Sequence, residues 1–390
     1  MLRIIFIYVL YIVHFHFLIK NIFWDVDEAT YFMFTKKYEF SKSVAITSFI
    51  FLISCTFAFL LGYYFSFKKD KSVIKIENSL KLELLSLNIM LNLLVVYMLV
   101  AFTVTNFNYG LMSQFREKYN FFFELRMLPL IVFSYILHNV ELKNILRDKK
   151  FKSLRISLFF YITALILFQV RSPIFEIFFI IMFSHLMWDG DKFKFKYLFI
   201  LLIATILPNI IILGRIGFPD DFNMLIDGIF SIEYSIMLNQ FLGTAITSSE
   251  SLRDGLSFLP QIALLIPSPI RGIFNISATN NDFFLNVSDY AGLHGGGFSL
   301  FAQTYLDFGW YSIIVFFILG LFIGKLNKGA TRVGNVSFVY SVAPLIFALF
   351  ILSIRNDLGV FIKYSIQALI IAFCFQLFFN SFKNKNHQNI

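Results

Sequence analysis

Four arginines stand where long apolar runs break off. They are Arg171 in Gln169-Val-Arg-Ser-Pro173, Arg215 in Leu213-Gly-Arg-Ile-Gly217, Arg271 in Pro267-Ser-Pro-Ile-Arg-Gly272 and Arg355 in Ser353-Ile-Arg-Asn-Asp357. A guanidinium grips phosphate or carboxylate through two parallel N–H donors and keeps its charge when partly desolvated. At the edge of a hydrocarbon layer, such a set suits an anionic, lipid-linked substrate. The competing reading is local: each arginine pairs with a nearby acid such as Asp220, Asp254, Glu117 or Asp357. Arg116 and Arg126 share a loop with its own acids and read as structural.

The second group with chemical potential is His294, in Gly292-Leu-His-Gly-Gly-Gly-Phe298. A neutral imidazole can take a proton from a sugar hydroxyl. Three consecutive glycines allow the backbone to approach a ligand and present N–H groups to it. A pliable glycine loop with an incidental histidine is the bland counterpart. Glu176 lies about one turn into an apolar run, where a carboxylate is costly and marks function or a structural pair. Its pairing partner would be Arg171 or Arg215, and that structural role is preferred here to catalysis. Tyr290, Tyr305 and Trp310 could stack on sugars or anchor the chain at the membrane interface. No Walker-type Gly-Lys-Ser, His-Glu-x-x-His or paired-cysteine motif occurs, which argues against ATP use and structural zinc, and no cofactor is expected. Cys55 and Cys374 both lie in apolar runs and read as packed free thiols.

These residues must be positioned by what surrounds them, and that is overwhelmingly apolar. Hydrophobic residues make up 58% of the 390 residues, against roughly 45–50% in soluble domains. The excess is gathered into ten runs: 2–19, 44–67, 84–105, 127–140, 156–170, 173–188, 197–213, 310–323, 337–354 and 360–379. A helix crossing a bilayer needs about 20 such residues, so the shorter runs must extend into their flanks. No small-residue cleavage site follows the first run, where Lys20-Asn-Ile-Phe-Trp24 stands, and the run is read as a span rather than a leader. The expected fold is an all-α integral membrane protein of about ten transmembrane helices, forming a single polytopic domain over 1–390.

Orientation follows from the cations between runs. Lys68, Lys69, Lys71 and Lys75 crowd the second connection. Lys143, Arg147, Lys149, Lys150, Lys152 and Arg155 crowd the fourth. Lys192, Lys194 and Lys196 mark the sixth, Lys325, Lys328 and Arg332 the eighth, and Lys383 and Lys385 the tail. All five segments fall on one side if both termini are cytoplasmic. The net charge of +9 is thereby explained by topology, and a nucleic-acid partner is rejected. Lysine follows this rule, whereas Arg116, Arg126, Arg171, Arg215, Arg253, Arg271 and Arg355 gather outside, against it. The outward segment 214–309 is long and contains apolar stretches and Pro219, Pro260, Pro267 and Pro269. Short helices lying on or dipping into the membrane suit it better than an unstructured loop.

The stretch Gly295-Gly-Gly-Phe-Ser-Leu-Phe-Ala-Gln-Thr-Tyr-Leu-Asp-Phe-Gly-Trp-Tyr-Ser312 resembles an element of the Wzy-type O-antigen polymerases, in which a small-residue turn leads to an aromatic-glycine step entering a span. The many-span layout, the large late periplasmic loop and the arginines at outer helix ends resemble that family too. Gln303 stands where the family usually has an acid. The resemblance implies a GT-C-like fold in a bacterial inner membrane. It also implies an inverting, metal-independent glycosyltransferase that joins undecaprenyl-pyrophosphate-linked oligosaccharide repeat units on the periplasmic face. Arg171, Arg215, Arg271 and Arg355 would hold the pyrophosphate, His294 would activate the acceptor hydroxyl, and Tyr290 and Tyr305 would contact glycan. A chain-length regulator would be a further partner, beside the membrane lipids. An O-antigen ligase would share the same loop, arginines and histidine. A flippase for lipid-linked oligosaccharides would favour shorter loops and more spans.

Overall fold

The computed structural model describes residues 41–66, 80–106, 111, 115, 125–167, 172–188, 241–247, 257, 263, 265, 299–330, 338–354 and 358–387. Every regular element among them is helical. The helices are α1 (Lys42–Ser66), α2 (Lys81–Thr105), α3 (Met127–Asn139), α4 (Leu142–Arg147), α5 (Lys152–Leu167), α6 (Ser172–Trp188), α7 (Leu300–Phe308), α8 (Ser312–Ala330), the single turn α9 (Phe338–Ser341), α10 (Ala343–Ser353) and α11 (Leu358–His387). Short 3-10 turns at Lys149–Phe151 and Gly309–Tyr311 join α4 to α5 and α7 to α8.

Four helical runs are long and apolar enough to cross a membrane: Lys42–Ser66, Lys81–Thr105, Leu300–Ala330 and Leu358–Phe379. Met127–Asn139, Pro173–Trp188 and Phe338–Ser353 are apolar but shorter. At about 1.5 Å per residue, the 25 residues of α1 reach about 37 Å, more than the roughly 30 Å of a hydrocarbon core. Eight of the ten apolar runs fall on these helices, with boundaries that differ. The run at 310–323 lies on the 3-10 turn and α8, and the helical stretch running back to Leu300 is broken at Gly309. The run at 360–379 belongs to a helix that continues to His387. The runs at 2–19 and 197–213 lie outside the described residues.

The chain forms two compact units. The first comprises Met1–Lys68, Phe195–Lys325 and Leu349–Gln367. Its spine is the parallel crossing of α1 and α8. A Cβ on Gly62 would lie 2.1 Å from the Phe317 carbonyl oxygen, and one on Gly320 would lie 2.1 Å from that of Phe59. One on Gly324 would meet Ser66 Oγ at 2.0 Å and the Tyr63 carbonyl at 2.8 Å. Gly320 and Gly324, four residues apart, share one helix face, so the two backbones touch along it. Lipid supplies no hydrophobic drive for helices to associate, and backbone contact through small residues takes its place. Phe59 stacks on Phe350 with ring centroids 4.7 Å apart, which brings the end of α10 onto this spine.

The second unit comprises Lys69–Lys194, Leu326–Ala348 and Ala368–Ile390. Here α2, α3, α5 and α6 pack on one another, and rings fill the gaps. Tyr135 stacks on Phe338 at 3.9 Å, Phe338 on Phe379 at 5.7 Å, and Phe183 meets Phe347 at 5.4 Å. Ser134 Oγ donates to the Ser341 carbonyl at 2.8 Å, and Trp188 Nε1 donates to that of Leu137 at 2.8 Å. Both cysteines are free; Cys55 is buried as expected, but Cys374 is exposed on α11, on a side of the helix it shares with the exposed Ile370, Phe373 and Leu377.

Candidate functional site

Of the stretch that carries the family resemblance, residues 295–298 lie outside the described residues, and 299–312 fold into a tight reversal. Ser299 caps α7, its Oγ accepting from Ala302 N at 3.4 Å. The helix ends at Gly309, whose φ of 57° and ψ of −136° lie where a side chain is strained. A glycine in the aromatic-glycine step therefore has a steric cause. In an unbroken helix, residues 301 and 316 would stand about 22 Å apart along the axis. Instead the Phe301 and Phe316 rings stack with centroids 4.8 Å apart. The chain doubles back, and α7 lies against the first turns of α8. Ser312 Oγ, 2.6 Å from both the Thr304 and Gly309 carbonyls, pins the reversal. The single run read from residue 310 onward missed it, because apolarity records burial and not direction.

The reversal is tied to two further segments by a buried polar network. Gln303 is fully buried. Its Nε2 donates to Ser257 Oγ at 3.0 Å, and its Oε1 accepts from the Leu358 backbone N–H at 2.5 Å. The Asp307 carboxylate accepts from Ser257 N at 2.9 Å and from Ser257 Oγ at 3.1 Å. Leu300 N donates to the Ile354 carbonyl at 3.3 Å. Position 303 must thus donate on one side and accept on the other. An amide does both, whereas an ionised carboxylate could only accept. The acid of this network is Asp307, one turn further along, which sequence reasoning passed over. Its place directly before Phe308-Gly309 was the available signal.

Of the residues singled out from sequence, Tyr305 is described. It is half-buried among aromatics, with its ring edge-on to Phe51 at 5.0 Å and to Trp310 at 6.4 Å. Arg171, Arg215, Arg271, Arg355, His294 and Tyr290 lie outside the described residues. Ile354, directly before Arg355, and Leu358, three residues after it, are described, and each bonds to α7. On either side of Arg171, α5 is described as far as Leu167 and α6 from Ser172.

A separate buried site lies in the second unit. Glu176, expected to pair with Arg171 or Arg215, pairs with Arg126, Nε to Oε2, at 3.9 Å. Arg126 is 7% and Glu176 3% exposed, and the fully buried Tyr161 lies within electrostatic reach of both. Arg126 was assigned to local loop acids. Its position directly before Met127 instead carries it into the packing of α3 against α6, where Glu176 is the available counter-charge. Among the described residues, no group of three or more histidines, cysteines or carboxylates could hold a metal ion. No family model, curated protein or solved structure matches this chain.

Proposed function

We propose that the chain polymerises undecaprenyl-pyrophosphate-linked oligosaccharide repeat units into O-antigen or a related surface polysaccharide. It does so by glycosyl transfer at the periplasmic face of a bacterial inner membrane. The proposal includes about ten spans with both termini cytoplasmic and a GT-C-like arrangement. One observation carries it furthest. The described part of the resemblance element, 299–312, is a hydrogen-bonded reversal, and it bonds to Ile354, directly before Arg355, and to Leu358, three residues after it. Fixing the chain before and after an arginine at the end of an apolar helix suits binding of a pyrophosphate headgroup.

In this reading the glycan chain leaves its pyrophosphate carrier as negative charge grows on the departing oxygen. Arginines at outer helix ends, drawn from Arg171, Arg215, Arg271 and Arg355, stabilise that charge where it develops. His294 takes the proton from the attacking sugar hydroxyl, and Tyr290 and Tyr305 contact glycan. No metal is needed, because the guanidinium groups do the work of a Lewis acid.

The test is complementation of a strain deleted for the gene, read as the ladder of glycan lengths on lipid A core. Arg215→Ala and Arg271→Ala are expected to abolish extension while the protein still inserts, and His294→Ala to lower the rate sharply. Normal ladders from both arginine variants would refute the pyrophosphate clamp. In the deletion strain, single repeats still attached to core support a polymerase, whereas complete absence of attached glycan would point to a ligase. Translocation of a labelled lipid-linked unit without elongation would point to a flippase.

A further inference from the structure

The connection between α3 and α5 is not a loose basic loop. It contains α4 and a 3-10 turn, and Arg155 braces it from beneath. One guanidinium nitrogen, Nη1, donates to the Ile145 carbonyl at 2.7 Å and to the Asp148 carbonyl at 2.9 Å. These are carbonyls at the end of α4, which have no partner within that helix. Ile145, Phe151 and Leu154 are buried under the connection. Lys150 is engaged locally, 3.9 Å from Asp148 and over the Phe151 ring. Lys143, Arg147, Lys149 and Lys152 are all exposed and make no ion pair among the described residues. The fold therefore spends one cation on structure and holds four others out on a fixed surface.

An apolar face continues from this surface. Lys152, Ile156, Phe159 and Phe160 follow at i, i+4, i+7 and i+8 along α5, which places them on one side of the helix. Ile156 is 46%, Phe159 66% and Phe160 54% exposed. At about 1.5 Å per residue, the two phenylalanines lie about 11 Å along the axis from Lys152. The adjoining α2 repeats the order: Lys81 is exposed, followed at four-residue intervals by exposed Leu85, Ile89 and Leu93. Cations at the head of an uncovered aromatic and aliphatic stripe match one kind of molecule, an anion joined to hydrocarbon chains.

We propose that this surface is a docking site for an anionic phospholipid of the surrounding leaflet. Lys143, Arg147, Lys149 and Lys152 hold its headgroup, and its acyl chains lie along Ile156, Phe159 and Phe160. Basic residues near an anionic surface each favour association, so even two acting together give a preference of more than about tenfold. Neither the sugar chemistry proposed above nor its arginines enter this inference.

The experiment uses the full chain in nanodiscs of mixed phosphatidylglycerol and phosphatidylcholine with identical acyl chains. Lipids retained on the ejected protein are counted by native mass spectrometry. Wild type is expected to retain phosphatidylglycerol over phosphatidylcholine by about tenfold or more, with the preference falling in 0.5 M salt. The variant Lys143→Gln/Arg147→Gln/Lys149→Gln/Lys152→Gln is expected to lose the preference. Phe159→Ala/Phe160→Ala is expected to retain less of both lipids. Arg155→Lys keeps the charge but cannot brace both carbonyls with a fixed fork, and is expected to weaken the preference several-fold. Soluble glycerol phosphate is expected not to compete. Equal retention of the two lipids by wild type would overturn the proposal. So would salt-insensitive preference or an unchanged preference in the four-residue variant. The salt series on wild type answers the question even where a variant fails to fold.

Discussion

In the first unit the polar group at the helix core is a neutral amide. Gln303 donates to Ser257 and accepts from Leu358 N, while the Asp307 carboxylate is bonded to the N–H and hydroxyl of Ser257. In the second unit it is a charge pair, with Arg126 and Glu176 drawn out of solvent together. The helix contacts differ in parallel. α1 and α8 touch backbone to backbone through Gly62, Gly320 and Gly324, whereas the second unit fills its gaps with stacked rings. Directional bonds and backbone contact tolerate little change in shape. A charge pair and rings tolerate repacking but not the loss of one partner.

The contrast can be broken most violently at the ion pair. Arg126→Ala removes a buried cationic partner of Glu176 beside Tyr161, a loss of up to about 3–5 kcal/mol, the usual cost of taking one partner from a buried pair. Thermal unfolding in detergent would register it. Arg126→Met/Glu176→Leu is expected to recover most of the loss. If the double variant is as unstable as the single, the pair does more than neutralise itself.

The seam comes next. Gly320→Ala presses a methyl against the Phe59 carbonyl, and two helices must separate to admit it, which costs about 1–3 kcal/mol. Gly329→Ala meets only the ring of Tyr340, which is 38% exposed and can swing away. Size-exclusion profiles after a heating series should rank Gly320→Ala well below Gly329→Ala. Equal behaviour would mean the α1–α8 contact is not tight.

The smallest effect is expected at the amide. Gln303→Asn keeps an amide but is one methylene too short to reach both Ser257 Oγ and Leu358 N, and losing one of the two bonds costs about 1 kcal/mol. Gln303→Leu loses both bonds and should be worse. Under the proposed function, both variants are expected to shorten the glycan ladder, Leu more than Asn. A normal ladder from Gln303→Leu would separate this network from activity.

Much of this architecture is written along the chain. Val, Ile, Leu and Phe concentrated in runs of about twenty residues can satisfy their backbone in lipid only as helices. The apolar runs falling on described residues lie on helices for that reason, though several helices extend beyond the runs, α8 as far as Ala330 and α11 as far as His387. The candidate site was less legible. A cationic or glycine-rich segment announces a chemical capacity, but not which neighbour will meet it. Arg126 was set aside as a loop residue and is buried against Glu176. Gln303 was read as a missing acid and is a two-sided hydrogen-bond bridge.

What the sequence by itself determined is therefore local: which segments are helical, where cations collect, and that a glycine sits at the aromatic step before Trp310. Three things belong to the tertiary structure alone. These are the reversal at Gly309, the pairing of Arg126 with Glu176, and the division of the Lys143–Arg155 cations into one brace, one local pair at Lys150 and four exposed charges. Helix formation depends on neighbours within a turn or so along the chain. The direction of a reversal and the partner of a charge depend on groups up to 55 residues away in sequence, such as Gln303 and Leu358, that meet only when helices pack.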